Sequence, residues 1–172
     1  MNITRLNHAV LYVSDAAAVA GFYRDVLGFR TVIRDPHNRF AFLRAKHSEN
    51  HHDLALFTIG AGAARPSRGR SIGLYHLAWE VPTLGDLQAA RTALESAGAL
   101  VGQSDHGVNK SLYAEDPDGN EFEVMWLVPP DQWGAEEHEA IVRGLDLDAD
   151  RRRYGAVRTS WQLEVTSSKA AR

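Results

Sequence analysis

The sequence contains no cysteine, no long apolar segment and no large excess of charge of either sign. The absence of cysteine excludes thiol chemistry and cysteine-ligated metals, and it fits a reducing cytoplasm, where we expect the protein. No apolar run approaches the length of a membrane span, and the N-terminus has no signal-peptide character. A net charge of −3 provides no general attraction to nucleic acid or to an anionic membrane. We therefore expect neither as a partner, and the eight histidines remain the main nitrogen ligands.

What the sequence does contain is a strand-like phrase that occurs twice with a histidine near its centre. The first copy, LNHAVLYV, spans residues 6–13 around His8, and the second, LYHLAWEV, spans residues 74–81 around His76. Each copy precedes a helix-like segment that stops at a glycine, as helices commonly do. The repeat predicts two similar units that bring two imidazoles together.

Hydrophobic periodicity and turn residues predict the order βαβββ in both units. In the first unit the helix is capped by Ser14 or Asp15 and ends at Gly28, and in the second it is capped by Thr83 and ends at Gly98. The predicted strands of the first unit span residues 3–13, 30–34, 40–46 and 53–59. Those of the second unit span residues 75–81, 100–103, 111–115 and 122–127.

The chain is predicted to form one domain in four segments. These are a first module at residues 1–59, a linker at 60–73, a second module at 74–128 and a C-terminal extension at 129–172. Within the extension we predict a helix at residues 135–143, a solvated charge run at 151–153 and an extra strand at 157–165.

The two repeated histidines and a carboxylate on the last predicted strand indicate a metal site. His8, His76 and one glutamate would occupy one face of a divalent ion and leave about three positions open, as in non-haem Fe(II) oxygenases. Glu121 and Glu123 point to the same side of a strand, because side chains alternate. Spacing alone therefore does not choose between these two glutamates.

Several of these residues resemble motifs of the vicinal oxygen chelate superfamily, which includes glyoxalase I, fosfomycin and bleomycin resistance proteins and type I extradiol dioxygenases. The resemblance covers about residues 3–128 and implies Glu123 as the third ligand. It also implies an α+β fold in which two paired βαβββ modules form a cupped, incomplete β-barrel around the metal. The motifs are Leu6-x-His8, Phe22-Tyr23-x-x-x-Leu27-Gly28-Phe29, Leu74-x-His76 and Asp116-Pro117-Asp118-Gly119-Asn120-x-x-Glu123.

Two further segments are similar to the extradiol dioxygenase branch. Residues 51–56, HHDLAL, resemble the segment that carries the acid–base histidine, which implies this role for His52. Residues 105–113 resemble the segment whose histidine and tyrosine stand beside the metal, which implies His106 and Tyr113. The implied reaction is ring cleavage of a catechol-type vicinal aromatic diol by O2 at iron(II), with manganese(II) as the alternative metal. Tyr113 would hydrogen-bond a substrate oxygen and favour its ionised form.

Other activities of the superfamily stay open at this point. A glyoxalase-like lyase or isomerase normally uses a fourth protein ligand on the last strand of the first unit. Residues 54–57 are apolar there, which argues against this chemistry unless a register shift brings Asp53 into the site. A fosfomycin-type transferase has no evident need for His52 and Tyr113, and a metal-free binding or resistance protein would generally lack the ligand set.

Typical extradiol dioxygenases of this type have two such domains, whereas this sequence resembles the catalytic domain alone or a small single-domain member. We therefore expect self-association into a dimer or higher homo-oligomer. Five aromatic residues are candidates for the wall of a substrate pocket: Phe40, Phe42, Phe57, Trp79 and Trp126.

Overall fold

The same order of elements builds each half of the chain in the computed structural model, which describes residues 1–67, 69–70 and 72–157. The first half contains β1 (Ala9–Val13), α1 (Ala16–Leu27), β2 (Arg30–Arg34), β3 (Phe40–Arg44) and β4 (Leu54–Thr58). The second half contains β5 (Leu77–Glu80), α2 (Leu84–Ser96), β6 (Leu100–Asp105), β7 (Asn109–Glu115) and β8 (Glu121–Leu127). This repeated order confirms the predicted α+β fold with two βαβββ modules.

The described chain divides into two structural units. The first comprises Met1–Ser71 and the turn Asp116–Asn120, and the second comprises Ile72–Glu115 and the residues from Glu121 onward. The turn belongs to the first unit because Asp118 accepts a hydrogen bond from the Ser14 N–H at 2.6 Å.

The sheet of the first unit has the strand order β1-β4-β3-β2, with β1 parallel to β4 and the other neighbours antiparallel. Asp15 caps the start of α1 by accepting the Ala18 N–H at 2.8 Å. The helix ends at Gly28, whose φ of 72° is the left-handed conformation that glycine adopts most readily. Buried residues of α1, such as Val19 and Tyr23, pack on β3 and β4 and form the core of this unit.

The sheet of the second unit repeats this arrangement with the strand order β5-β8-β7-β6. Thr83 caps α2 by accepting the Asp86 N–H at 3.1 Å, and Gly98, with a φ of 64°, follows the last turn of the helix. Leu87 and Leu94 of α2 are fully buried in the core of this unit, where α2 packs on β6, β7 and β8.

Both repeated histidines lie immediately before a strand rather than within one. The prediction of a strand from residue 3 is wrong, because β1 begins at Ala9 and its first hydrogen bond joins the Ala9 N–H to the Asp53 carbonyl at 2.9 Å. The partner strand β4 begins only at Leu54, so residues before Ala9 have no strand to pair with. In the same way, β5 begins at Leu77, one residue after His76.

The C-terminal extension contains no α-helix at residues 135–143, so that prediction is wrong. Two short 3-10 helices occur instead, at Pro130–Gln132 and Gly134–His138, and they are followed by the helix α3 (Leu147–Tyr154). Glu139 has an extended backbone, with φ −115° and ψ 138°, which ends the second 3-10 helix. The predicted strand at 157–165 lies outside the described residues, apart from Val157.

The predicted charge run at residues 151–153 lies on the exposed surface of α3, as expected. No helix in the described ranges is both long enough and apolar enough to cross a membrane.

Candidate functional site

Side-chain alternation gives the second sheet an apolar face and a polar face. On β8, Phe122, Val124 and Trp126 are buried on the side where α2 packs. Glu121 and Glu123 point to the opposite side. Tyr113 of β7 pairs directly with Glu123 across the antiparallel ladder, so both side chains share that face.

His76 and Glu123 form a close imidazole–carboxylate pair within the second unit. His76 Nε2 lies 3.2 Å from Glu123 Oε2, whereas Glu121 Oε1 lies 3.8 Å from Nδ1 of the same ring. The pair is brought together because β5 and β8 run parallel and Ala78 lies opposite Glu123. The geometry therefore favours Glu123 over Glu121 as the partner of His76 Nε2.

The His76–Glu123 pair fits a divalent ion. Two ligand atoms that each lie about 2.1 Å from a metal ion, with a right angle between the two bonds, are about 3 Å apart. This value is close to the observed distance between His76 Nε2 and Glu123 Oε2. Among the described residues the buried Nδ1 of His76 has no hydrogen-bond partner, so the ring is not held by a hydrogen bond there. An imidazole nitrogen and a carboxylate oxygen are common ligands of iron, manganese and zinc.

His106 and Tyr113 form a second pair in the same unit. His106 Nε2 lies 2.7 Å from the Tyr113 hydroxyl, and the rings of Tyr113 and His76 have centroids 5.8 Å apart. Burial raises the pKa of Tyr113, and the charge of Glu123 raises it further, so the phenol stays protonated at neutral pH. The second unit thus brings four of the six predicted site residues together.

The first unit brings the other two predicted residues together. The rings of His8 and His52 have centroids 4.6 Å apart, and His52 stacks on Phe42 at 4.8 Å. Burial lowers the pKa of His52, and the charges that His8 and His51 carry when protonated lower it further. His52 is therefore neutral at pH 7 and able to accept a proton.

The predicted three-ligand set is divided between the two units, with His8 in the first and His76 and Glu123 in the second. Among the described residues, no three His, Cys, Asp or Glu side chains form a group that would hold a metal ion. The complete ligand set His8, His76 and Glu123 therefore stays a prediction.

The Asp53 side chain is hydrogen-bonded within the loop that precedes β4. Its carboxylate accepts hydrogen bonds from the Ala45 N–H at 2.8 Å, the Ser48 hydroxyl at 2.7 Å and the Asn50 amide at 2.7 Å. Both carboxylate oxygens are thus occupied. The role of Asp53 in this structure is to hold the loop between β3 and β4.

Three of the predicted pocket aromatics form a cluster in the first unit. The ring of Phe40 lies 5.4 Å from that of Phe42 and 5.9 Å from that of Phe57, on the sheet face where His52 stacks. Trp126 does not belong to the polar face of its own sheet. It is fully buried and packs against Tyr154 of α3 at 5.3 Å, because it alternates with Glu123 and Met125 along β8.

Sequence reasoning missed two polar neighbours of the second-unit site. Asn109 donates from its amide to the Ser111 hydroxyl at 2.7 Å and to Glu123 Oε1 at 3.4 Å. Asn109, Ser111 and Tyr113 alternate along β7 and therefore share one face. This period of two was a signal present in the sequence.

A surface cavity of about 280 Å³ lies elsewhere in the first unit. It is bounded by the end of β1, by the segment from Gly60 to Ser67 and by Asp118 and Asn120. None of the predicted site residues lines it.

The repeated βαβββ fold defines a glyoxalase-type domain, and comparison with known proteins agrees. The family model of the Glyoxalase/Bleomycin resistance protein/Dioxygenase superfamily matches residues 5–124. The chain therefore belongs to this superfamily.

The relatives of this chain include dioxygenases. Biphenyl-2,3-diol 1,2-dioxygenase 3 of Rhodococcus globerulus is 38% identical over 127 residues, which cover 73% of this chain and 65% of that protein. Catechol-2,3-dioxygenase of Bacillus subtilis is 29% identical over 130 residues, which cover 76% of this chain and 44% of that protein. The chain thus matches between about half and two thirds of the length of these relatives.

A solved structure supports the fold alone. The glyoxylase/bleomycin resistance protein/dioxygenase domain from Frankia sp. EAN1pec is similar with a TM-score of 0.64 and 21% sequence identity. The match covers 74% of this chain and 94% of the Frankia domain.

Proposed function

We propose that this protein is an extradiol dioxygenase that cleaves the ring of a catechol-type vicinal aromatic diol with O2. The observation that carries the proposal is the polar face of the second sheet. There the His76–Glu123 pair, at 3.2 Å, stands beside the His106–Tyr113 pair, at 2.7 Å. The dioxygenase names of the relatives above support the same reaction class.

We propose that His76 and Glu123, with His8 as the predicted third ligand, hold iron(II), with manganese(II) as the alternative. Bound there, the metal would supply positions for the diol and for O2 and a path for electron density between them. His76 is suited to this role because its Nε2 faces a carboxylate.

Within this proposal, His52 moves a proton during ring opening. Its lowered pKa keeps the imidazole neutral, and its Nδ1 lies 3.0 Å from His51 Nδ1, so we assign proton transfer to Nε2. Tyr113 hydrogen-bonds a diol oxygen, and His106 positions Tyr113 through its hydrogen bond with the Tyr113 hydroxyl. The Phe40, Phe42 and Phe57 cluster offers an apolar surface for an aromatic ring.

The main rival, a glyoxalase-like lyase or isomerase, needs a fourth protein ligand in the first unit. Asp53, the residue proposed for that place, already accepts three hydrogen bonds from its own loop. This occupancy argues against the lyase. A metal-free binding or resistance protein would have no use for the imidazole–carboxylate pair in the second unit.

The test is oxygen uptake by protein loaded with iron(II) under anaerobic conditions. We expect one O2 to be consumed per diol with a panel that includes catechol and biphenyl-2,3-diol. Labelled 18O2 should place both oxygen atoms in a coloured ring-opened product, which distinguishes cleavage from oxidation to a quinone. His76→Ala should abolish both iron retention and uptake. Iron-loaded protein that consumes no O2 with any diol would contradict the proposal and favour the lyase.

We further propose that the protein works as a homo-oligomer, most simply a dimer, and in the cytoplasm. Light scattering coupled to size exclusion should give twice the mass of the 172-residue chain or a higher multiple. A strictly monomeric protein at micromolar concentration would contradict it.

A further inference from the structure

A short part of the C-terminal extension, residues 139–143, pairs with the end of β6 in the second unit. Asp105 and Arg143 form an isolated antiparallel bridge. The Asp105 N–H donates to the Arg143 carbonyl at 2.9 Å, and the Arg143 N–H donates to the Asp105 carbonyl at 3.0 Å. The extension is therefore joined by backbone hydrogen bonds to the residue immediately before His106.

Side chains reinforce this connection. Arg143 donates from Nε to Asp105 Oδ2 at 2.8 Å and from Nη1 to Glu136 Oε1 at 3.0 Å. The extension also packs closely on Gly107. A Cβ added at this position would lie only 2.9 Å from Ile141 Cδ1 and 2.9 Å from Glu136 Oε2. Gly107 has a φ of 79°, so it has both the backbone freedom and the small size that this contact requires.

This packing places a backbone acceptor against the His106 ring. His106 Nδ1 lies 2.7 Å from the Ile141 carbonyl oxygen, which is only an acceptor, so Nδ1 must carry a proton. In a neutral imidazole the other nitrogen, Nε2, is then an acceptor. In that neutral state the Tyr113 hydroxyl, 2.7 Å away, donates a hydrogen bond to Nε2.

We propose that residues 139–143 are a positioning element that holds His106 in its Nδ1–H tautomer and thereby directs the Tyr113 hydroxyl proton toward His106. The oxygen of Tyr113 then accepts a hydrogen bond from whatever hydroxyl binds beside it, which departs from the expectation that Tyr113 favours an ionised diol oxygen. Its relevance to catalysis rests on the proposed function, in which that hydroxyl belongs to the diol. The tautomer itself does not depend on any reaction.

The test is long-range proton–nitrogen NMR correlation of the imidazole rings in 15N-labelled protein without metal. His106 signals are assigned by their loss in His106→Gln. We expect the Nδ1 shift of a protonated nitrogen and the Nε2 shift of an unprotonated one. An Nε2–H tautomer for His106 in the unmodified protein would overturn the proposal.

Two variants test whether the extension sets the tautomer. Gly107→Ala pushes Ile141 away, and Gly98→Ala is its control because Gly98 also has a positive φ but no atom within 4 Å of an added Cβ. Arg143→Pro removes the backbone N–H that donates to the Asp105 carbonyl, and it also removes the guanidinium. Both groups lie away from the His106 ring. We expect Gly107→Ala and Arg143→Pro to shift His106 to the Nε2–H form or to a mixture. If both variants fold and keep pure Nδ1–H, the extension does not position His106.

Kinetics separate this inference from the proposed function. If the iron-loaded protein turns over a diol, Arg143→Pro should lower kcat by about tenfold or more, since misplaced reacting groups cost that much. An unchanged kcat in a variant whose tautomer has shifted would contradict the catalytic consequence. If no diol is turned over, the proposed function fails while the NMR result still decides the tautomer.

Discussion

Lys110 and Asp105 form a buried ion pair that joins the second sheet to the C-terminal extension. The Lys110 side chain is fully buried, and its Nζ bonds to Asp105 Oδ1 and lies 3.7 Å from Asp150 of α3. Asp105 also accepts from Arg143, so one carboxylate serves both a core lysine and the extension. Asp105 is also the residue immediately before His106. The ion pair therefore stabilises the part of the chain that carries a candidate site residue.

Removing the lysine charge should therefore destabilise the second unit. In Lys110→Met the buried carboxylates lose their main partner, and the loss from breaking a buried pair is about 3–5 kcal/mol. Urea unfolding followed by circular dichroism measures it. Arg91→Met is the control, because Arg91 pairs with Glu95 on an exposed helix surface and should cost no more than about 0.5 kcal/mol. Equal losses in the two variants would contradict a structural role for Lys110.

Asp105 should make stability depend on pH in the acid range. Burial by itself raises the pKa of this carboxyl, but hydrogen bonds from Lys110 and Arg143 outweigh burial and leave the pKa lowered. The folded protein then holds the proton less tightly than the unfolded chain. The stabilisation is complete above the usual carboxyl pKa of about 4 and is lost as the pH falls through the lower folded value.

The measurement is the free energy of unfolding of wild type and Asp105→Asn between pH 7 and pH 2. We expect the difference between them to be largest near neutral pH and to shrink below about pH 4. Asp25→Asn, which breaks an exposed pair with Arg24, should differ little from wild type throughout. A difference between wild type and Asp105→Asn that stays constant with pH would show that Asp105 does not titrate as inferred.

Glu123 and Glu121 offer a matched pair of variants for metal binding. Glu123→Gln should remove a ligand and abolish stoichiometric binding of iron(II) or manganese(II), whereas Glu121→Gln, two residues away on the same face, should retain it. Anaerobic calorimetric titration gives both affinities. Retention of metal by Glu123→Gln together with its loss in Glu121→Gln would mean that the two roles are reversed.

His52 and His51 provide a second matched pair, this time for proton transfer. His52→Ala should retain iron but lower kcat by about 10²–10⁴, the usual contribution of a general acid–base group. His51→Ala removes an exposed neighbouring ring and should reduce kcat far less. Iron analysis accompanies each assay, because loss of iron in His52→Ala would identify His52 as a ligand instead.

Local patterns were enough to predict much of the fold. The caps Asp15 and Thr83 and the terminating Gly28 act through hydrogen bonds to residues a few positions away, so the sequence specifies them directly. The strand at Arg30–Arg34 was predicted with its observed bounds. The helix predicted at residues 135–143 was wrong, because the helical part is only the 3-10 helix Gly134–His138 and the backbone is extended at Glu139, before Arg143 pairs with Asp105.

By itself the sequence determined the twice-repeated βαβββ order, the family, and the residue types available for chemistry. These follow from side-chain periodicity, capping and motif spacing, which are properties of neighbouring positions. Only the tertiary structure decided that His76 lies nearer to Glu123 than to Glu121, that Lys110 is a core residue, and that a carbonyl from the extension holds His106. Strand register and backbone contacts over long chain separations set these relationships, and a backbone carbonyl is the same chemical group at every position of a sequence.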